Sequence, residues 1–178
     1  MLPKEELVNL LLKDVEAFNA EAAQSADGLD LTETDFSNCN IEGADFVNAD
    51  LTSSSFADSR LTDVKFEGCD LSSVDFTRAN MVECSFADSV LNGADFSYSK
   101  ADYCNFADAD TAGAVFQGAD LSGSDFSTAE NLSACRFDEE TIWPDGEYLP
   151  EDFDSKYTSD LSSLQDDDGE GSDYWGES

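Results

Sequence analysis

Histidine is absent from the chain, basic side chains number only 8 against 41 acidic ones, and proline occurs 3 times. The first absence removes the most common general base and the most common zinc ligand. The five cysteines, Cys39, Cys69, Cys84, Cys104 and Cys135, have no CxxC spacing to replace it. There is no phosphate-cradling glycine loop and no thiol with a base at hand, so the chain is expected to be no enzyme and to use no cofactor and no metal. A formal charge of −33 predicts repulsion from nucleic acid and from anionic membranes. No stretch approaches the roughly 20 apolar residues of a spanning helix. Met1 to Leu12 lacks the basic-then-apolar layout of a secretory leader, and free thiols suit a reducing compartment, so a cytoplasmic location is expected.

What is present is a period. Phenylalanine stands at 36, 46, 56, 66, 76, 86, 96, 106, 116 and 126 without a gap. Midway between lie Leu31, Ile41, Leu51, Leu61, Leu71, Met81, Leu91, Ala101, Thr111 and Leu121. Two residues before most centres the side chain is small or modest, as at Cys39, Ala44, Ala49, Ser54, Val64 and Cys69. An interval of five fits neither a helix at 3.6 nor an amphipathic strand at 2. A centre and the residue two before it share one side of a short extended segment, and the two residues after it can turn a corner. Four such sides close a coil of about 20 residues, and coils stacked at ~4.8 Å pair their backbones in parallel.

The expected fold is therefore an all-β solenoid, a parallel β-helix of about five 20-residue coils. Phe36, Phe56, Phe76, Phe96 and Phe116 form one inward ladder, and Phe46, Phe66, Phe86, Phe106 and Phe126 form another on the opposite side. Such a filled interior leaves no channel for a substrate.

Ala44-Asp45-Phe46, Ala49-Asp50-Leu51, Ala94-Asp95-Phe96 and Ala119-Asp120-Leu121 resemble the A(D/N)LXX motif of the pentapeptide-repeat family over roughly 100 residues. The resemblance implies a right-handed quadrilateral β-helix. It says little about function, although the quinolone-resistance branch of that family is known as DNA mimics that occupy DNA gyrase.

Open coil ends invite end-to-end association, so caps are expected. Residues 1–28 read as an N-terminal capping helix and linker. Within them 3–22 form one amphipathic helix, with Pro3 in its first turn and Leu7, Leu11, Val15 and Phe18 on one face; a helix reserved for a partner is the alternative. Residues 29–137 are the β-helix, and 138–150 a C-terminal capping loop. Thr141-Ile142-Trp143-Pro144-Asp145-Gly146 is similar to the closing sequence of many family members, which implies that Trp143 covers the last layer and Pro144 stops the ladder. Residues 151–178 are expected to be a disordered acidic tail. Within that tail Asp166, Asp168, Glu170, Gly171 and Glu177 match calcium-loop spacing, but position 5 is glutamate and no exiting helix follows, which favours a chance match.

Cys84 and Cys104, twenty residues apart, occupy equivalent inward positions, open either to a disulfide or to buried thiols. Ala101 and Thr111 leave volume missing, to be met by local repacking, by Tyr103, or by a small pocket.

The candidate interaction surface is acidic. Asp30, Asp50, Asp70 and Asp110 line one outer face, and Asp35, Asp75 and Asp95 the next; Arg60, Lys100 and Lys65 sit on the other two. Residues 29–137 carry 20 acids and 5 bases, a net charge of −15. Over a stack of about 26 Å that approaches the linear charge density of duplex DNA, about one charge per 1.7 Å. Residues 138–178 carry 15 acids and 1 base, so the acidity extends beyond the rod and also suits general solvation. The expected role is a non-catalytic module presenting this surface to a protein partner of basic character, as monomer or homodimer. The alternative is a DNA-mimic inhibitor or protector of a type II topoisomerase.

Overall fold

The computed structural model describes residues 2–25 and 28–155. The calcium-like spacing from Asp166 to Glu177 lies outside the described residues. Two helices come first, α1 (Lys4–Lys13) and α2 (Val15–Ala22). They precede a parallel solenoid in which each segment pairs with the one twenty residues later. On one side the segments are regular strands, β1 (Asn40–Glu42), β2 (Arg60–Thr62), β3 (Asn80–Val82) and β4 (Lys100–Asp102), in the order β1-β2-β3-β4. The other three sides contribute isolated parallel bridges at the same interval, such as Asp50↔Asp70, Asp75↔Asp95 and Ser85↔Asn105. A typical link has the Leu51 N–H donating to the Asp70 carbonyl at 2.9 Å and the Asp70 N–H donating to the Ala49 carbonyl at 3.0 Å. Among the described residues, no helix is long and apolar enough to cross a membrane.

The interior is the predicted double ladder. All ten phenylalanines of the series are buried. Within a column the rings stack, with centroids 4.2 Å apart at Phe106 and Phe126 and 5.3 Å at Phe46 and Phe66. Between columns they meet edge to face, as Phe76 and Phe86 do at 5.6 Å and 89°. Edge-to-face contact sets the positive ring edge against the negative face, so two adjacent columns interlock without repulsion. The small residues beside the rings bring hydroxyl and thiol donors that a packed apolar core would leave unpaired. Ser54 Oγ donates to the Leu31 carbonyl at 2.7 Å, Ser124 Oγ to Ala101 at 2.9 Å, and Cys69 Sγ to Phe46 at 2.9 Å.

From Glu33 to Gly118 each corner takes a left-handed residue two positions after the centre, and most of those residues are not glycine. Glu33, Asn38, Asp58, Arg78 and Tyr103 all have φ between 53° and 59°. Such a conformation costs a residue with a Cβ roughly 1–2 kcal/mol. The N–H of that residue offsets the cost by entering the ladder, as Asp58 does to the Ala57-equivalent carbonyl of the next coil, Thr77, at 2.9 Å.

The single helix expected over 3–22 is two. Asp14 adopts φ −154° and ψ 87°, and its Oδ1 accepts from the Ala17 N–H at 3.0 Å. An aspartate that can bond its own downstream backbone competes with the helical ladder and starts a new helix instead. Pro3 stands just before α1, where its carbonyl accepts from Glu6 and Leu7. Leu7, Leu11 and Phe18 are buried, with Phe18 edge-on to Phe46 at 5.3 Å, whereas Val15 is half-buried. Asn19 completes this end: its Nδ2 donates to the Gly43 carbonyl at 2.8 Å, and its Oδ1 accepts from the Asp45 N–H at 2.9 Å. One side chain thus substitutes for a missing strand.

At the other end the register lengthens, from Asp110↔Glu130 to Val115↔Arg136 and Asp120↔Ile142. Trp143 lies edge-on to Phe116, Phe126 and Phe137 at 5.6, 5.8 and 5.4 Å. The tail boundary at 151 is corrected for its first residues. Phe153 packs on Trp143 at 4.8 Å and Phe137 at 5.8 Å, because an aromatic ring placed close after the closing loop gains more from that contact than from water.

The volume left at Ala101 and Thr111 is not filled by Tyr103, which is 75% exposed. Thr111 is instead held as a core polar residue, its Oγ1 donating to the Glu130 carbonyl at 2.8 Å.

Gly28, at φ 79°, sets the approach of the chain to the first coil, and a Cβ there would overlap the Asn48 carbonyl oxygen. Gly28→Ala is expected to lower stability by about 2 kcal/mol, combining left-handed strain with that overlap. Urea unfolding followed by circular dichroism measures it.

Candidate functional site

The bridges resolve the acidic surface into columns. One runs Asp30, Asp50, Asp70, Val90, Asp110, Glu130, and the next Asp35, Ser55, Asp75, Asp95, Val115, Arg136. The predicted aspartates therefore share their two faces as expected, but neither series is unbroken: Val90 interrupts the first, Ser55 and Val115 the second. Asp30, Asp50, Asp70 and Asp35 are exposed, while Asp75, Asp95 and Asp110 are half-buried. The remaining columns mix signs, with Asn40, Arg60, Asn80, Lys100 and Asp120 on one, and Asp45, Lys65, Ser85, Asn105 and Asp125 on the other.

All seven candidate aspartates also have a second task. The Oδ1 of Asp30, Asp50, Asp70 and Asp110 accepts from the backbone N–H two residues on, at 3.1, 3.0, 3.0 and 3.1 Å. Asp35, Asp75 and Asp95 do the same at 2.9, 2.8 and 2.8 Å. Each bond satisfies a corner N–H that the coil-to-coil ladder does not reach. The spacing of the motif signals this role: the aspartate always stands one before a centre and three before a left-handed corner. A repeated Asp or Asn at that offset thus reports a turn before it reports a binding charge. Asn105, which bonds Ala107 N–H at 2.9 Å, makes the same turn with no charge at all.

The comparison of Asp50→Asn with Asp50→Ala follows directly. Asparagine keeps the Oδ1 acceptor and is expected to leave stability nearly unchanged, whereas alanine is expected to cost about 1 kcal/mol. Paired denaturation curves distinguish a turn-forming aspartate from one whose charge alone matters.

At a few of these turns the serine or threonine two residues on also depresses the acidity. The Ser37 hydroxyl and then its backbone N–H hold Asp35 below the ordinary value of 3.8. At Asp120 the Ser122 hydroxyl leads, and its effect together with the Ser122 N–H and Lys100 outweighs burial. Depressed carboxyls stabilise the fold above the unfolded-state value, and that contribution disappears as pH falls through the folded value. The urea midpoint is accordingly expected to fall between about pH 4 and pH 2, once corrected for relief of the overall negative charge.

Three of the cations pair with acids near them. Arg78 grips Asp58 through Nε and Nη2, both at 2.7 Å, and Lys100 lies 2.9 Å from Asp102 and 3.7 Å from Asp120. Lys4 reaches from α1 to the Thr32 carbonyl at 2.7 Å and to Asp30 at 3.2 Å, a tie between helix and first coil that the helical pattern did not signal.

The cysteines are free thiols, and Cys39 alone among them is not buried. Burial pushes Cys69 and Cys135 up to about 12. A hydrogen bond with Cys84, and then burial, also raises Cys104 and keeps it protonated.

Fold and surface together define a parallel β-solenoid with a solid aromatic core, whose outward positions are spent partly on turn closure and partly on charge. Family models agree: pentapeptide repeats match residues 30–68, and a pentapeptide repeat region matches 59–142. The chain belongs to the pentapeptide-repeat family. No curated protein sequence matches it significantly. Similar solved structures include a pentapeptide repeat protein from the Arabidopsis thaliana thylakoid lumen, 24% identical over 51% of this chain and 66% of that one, with a TM-score of 0.34. The chain thus spans just under two thirds of that protein. Another from Nostoc is 22% identical over 76% of this chain and 87% of that one, at a TM-score of 0.32. Full-length QnrB1, a plasmid-mediated fluoroquinolone resistance protein, is 17% identical over 63% and 92%, at 0.23.

Proposed function

We propose that this chain is a non-catalytic, cytoplasmic interaction module. Its acidic β-helical faces meet a protein partner of basic character. The observation that supports the reading is the asymmetry of charge around the coil: two adjacent faces carry Asp30, Asp50, Asp70, Asp110, Asp35, Asp75 and Asp95, and the other two carry the cations Arg60, Lys65 and Lys100. Complementary charge of this kind steers encounter and selects partners. In this reading the helix is right-handed, has four sides and about five coils, and is closed by α1 and α2 at one end and by Trp143 at the other. The aspartates then do two things at once, closing turns with one carboxylate oxygen and projecting charge with the other.

A second reading is DNA mimicry toward a type II topoisomerase. It is favoured by the linear charge density of the repeats, and the breaks at Val90, Ser55 and Val115 count against it. The triple variant Asp30→Asn, Asp50→Asn, Asp70→Asn tests both readings, because it removes charge while keeping the turn acceptors. Affinity capture from the native host at low salt, with the parent chain and the triple variant as bait, should yield a basic protein enriched only by the parent. Equal capture by both baits would remove the acidic-face reading. In a supercoiling assay with purified gyrase, inhibition by the parent but not by the triple variant would establish the second reading, and no effect at micromolar protein would eliminate it.

A further inference from the structure

In the corner column Gly43, Asp63, Glu83, Tyr103, Gly123 an exposed tyrosine is followed one coil later by glycine, as Tyr98 is by Gly118 in the preceding corner column. Tyr103 projects into solvent, 75% exposed, and the next coil has no side chain at Gly123 to cover it. Beyond Gly123 the closing loop brings in Tyr148, 44% exposed, whose carbonyl accepts from Phe126 N–H at 2.9 Å where Asp125 serves Phe106 one coil earlier. Tyr103 and Tyr148 both line an open notch of about 620 Å³, with Asn105, Ser124 and Asp125 among its other walls.

We propose that this notch binds an arginine side chain of a partner protein, its guanidinium stacked between Tyr103 and Tyr148 and facing Asp125. Three features of the site converge on a planar cation. The ring faces are negative and attract a cation laid over them. The Asp125 carboxylate commits one oxygen to the Ser127 N–H at 2.9 Å, which leaves the other free to accept a guanidinium N–H. Lys100, on the neighbouring side, is already held by Asp102 and Asp120. Ammonium would satisfy the charge, but only guanidinium is flat enough to stack on two rings and donate in its own plane at the same time. The partner class is the basic protein of the proposed function, so the inference rests on that reading, but it places the contact half a coil away from the acidic faces.

The test is amide-shift mapping on the isotope-labelled full chain, titrated with the peptide acetyl-Gly-Gly-Arg-Gly-Gly-amide and with its citrulline counterpart, which has the same shape without the charge. The expected result is a set of shifts centred on Tyr103, Gly123, Asp125 and Tyr148 with the arginine peptide only. Tyr103→Ser and Tyr148→Ser should each weaken it about fivefold, the loss of one cation–ring contact. Both residues are exposed, so both variants should keep the parent's circular dichroism. The variant Asp30→Asn, Asp50→Asn, Asp70→Asn should bind the peptide as the parent does, which separates failure of the notch from failure of the acidic faces. Equal shifts with citrulline, shifts confined to the acidic faces, or a notch covered by a second copy at the concentrations used would each overturn the proposal.

Discussion

Phe76→Ala is expected to destabilise the chain by about 3–5 kcal/mol, the largest single effect of any substitution considered. Phe76 is fully buried at the middle of its column. It stacks between Phe56 at 5.3 Å and Phe96 at 4.8 Å, and meets Phe66 and Phe86 edge-on at 5.8 and 5.6 Å. Removing the ring opens a cavity that neighbours cannot close, because each of those four rings is itself fixed by the coil above and below. The backbone ladder holds coil spacing constant on every side, so collapse toward the gap is resisted as well. A solenoid transmits stability from neighbour to neighbour, so a central lesion should also divide the cooperative unit. Urea unfolding monitored by circular dichroism should show a lower midpoint together with a shallower transition. A loss under 1 kcal/mol with unchanged slope would contradict a solid ladder.

Trp143→Ala is expected to cost about 2–4 kcal/mol and, unlike Phe76→Ala, to make the chain self-associate. Trp143 is only half-buried, yet its ring touches those of Phe116, Phe126, Phe137 and Phe153 together. Without it the last rings of both columns face water, beside backbone groups that only a further coil would pair. Asp138 and Thr141 already occupy part of that edge, with Asp138 Oδ1 accepting from Gly118 N–H at 3.0 Å and Thr141 Oγ1 donating to the Phe116 carbonyl at 2.8 Å. The indole N–H finds no acceptor among the described residues, so Trp143→Phe, which removes that donor but keeps a ring, should recover most of the loss. Sedimentation velocity over a range of concentrations, alongside thermal unfolding, separates the two effects. A monomeric Trp143→Ala chain of parental stability would show that the end is closed by other groups.

The solenoid was legible in the sequence because burial by columns depends only on spacing along the chain. Phenylalanine every ten residues and an aliphatic centre between them specify which side chains turn inward, and a twenty-residue coil then specifies Leu61 opposite Met81 and Asp50 opposite Asp70. Phe18 was legible from the helical face it shares with Leu7 and Leu11, and the Trp143 cover from the likeness of residues 141–146 to the family's closing sequence. The acidic faces were legible too, as columns, since outward positions repeat with the same period.

The destinations of polar atoms were decided by the tertiary structure. Whether Asp50 offers its oxygen to a partner or to Thr52 depends on backbone angles at the corner, and those angles are set by coils twenty residues away. Asp14 divides the N-terminal helix because α2 must turn to lay Phe18 on Phe46 and Asn19 on the edge at Gly43 and Asp45. Phe153 joins the closing cluster although the composition around it reads as tail, and Tyr103 points outward although the small Ala101 stands two residues before it. Periodicity determines which residues are inside, because hydrophobic burial needs only a consistent side. Hydrogen bonds need a direction and a distance, and these exist only once the coils have stacked.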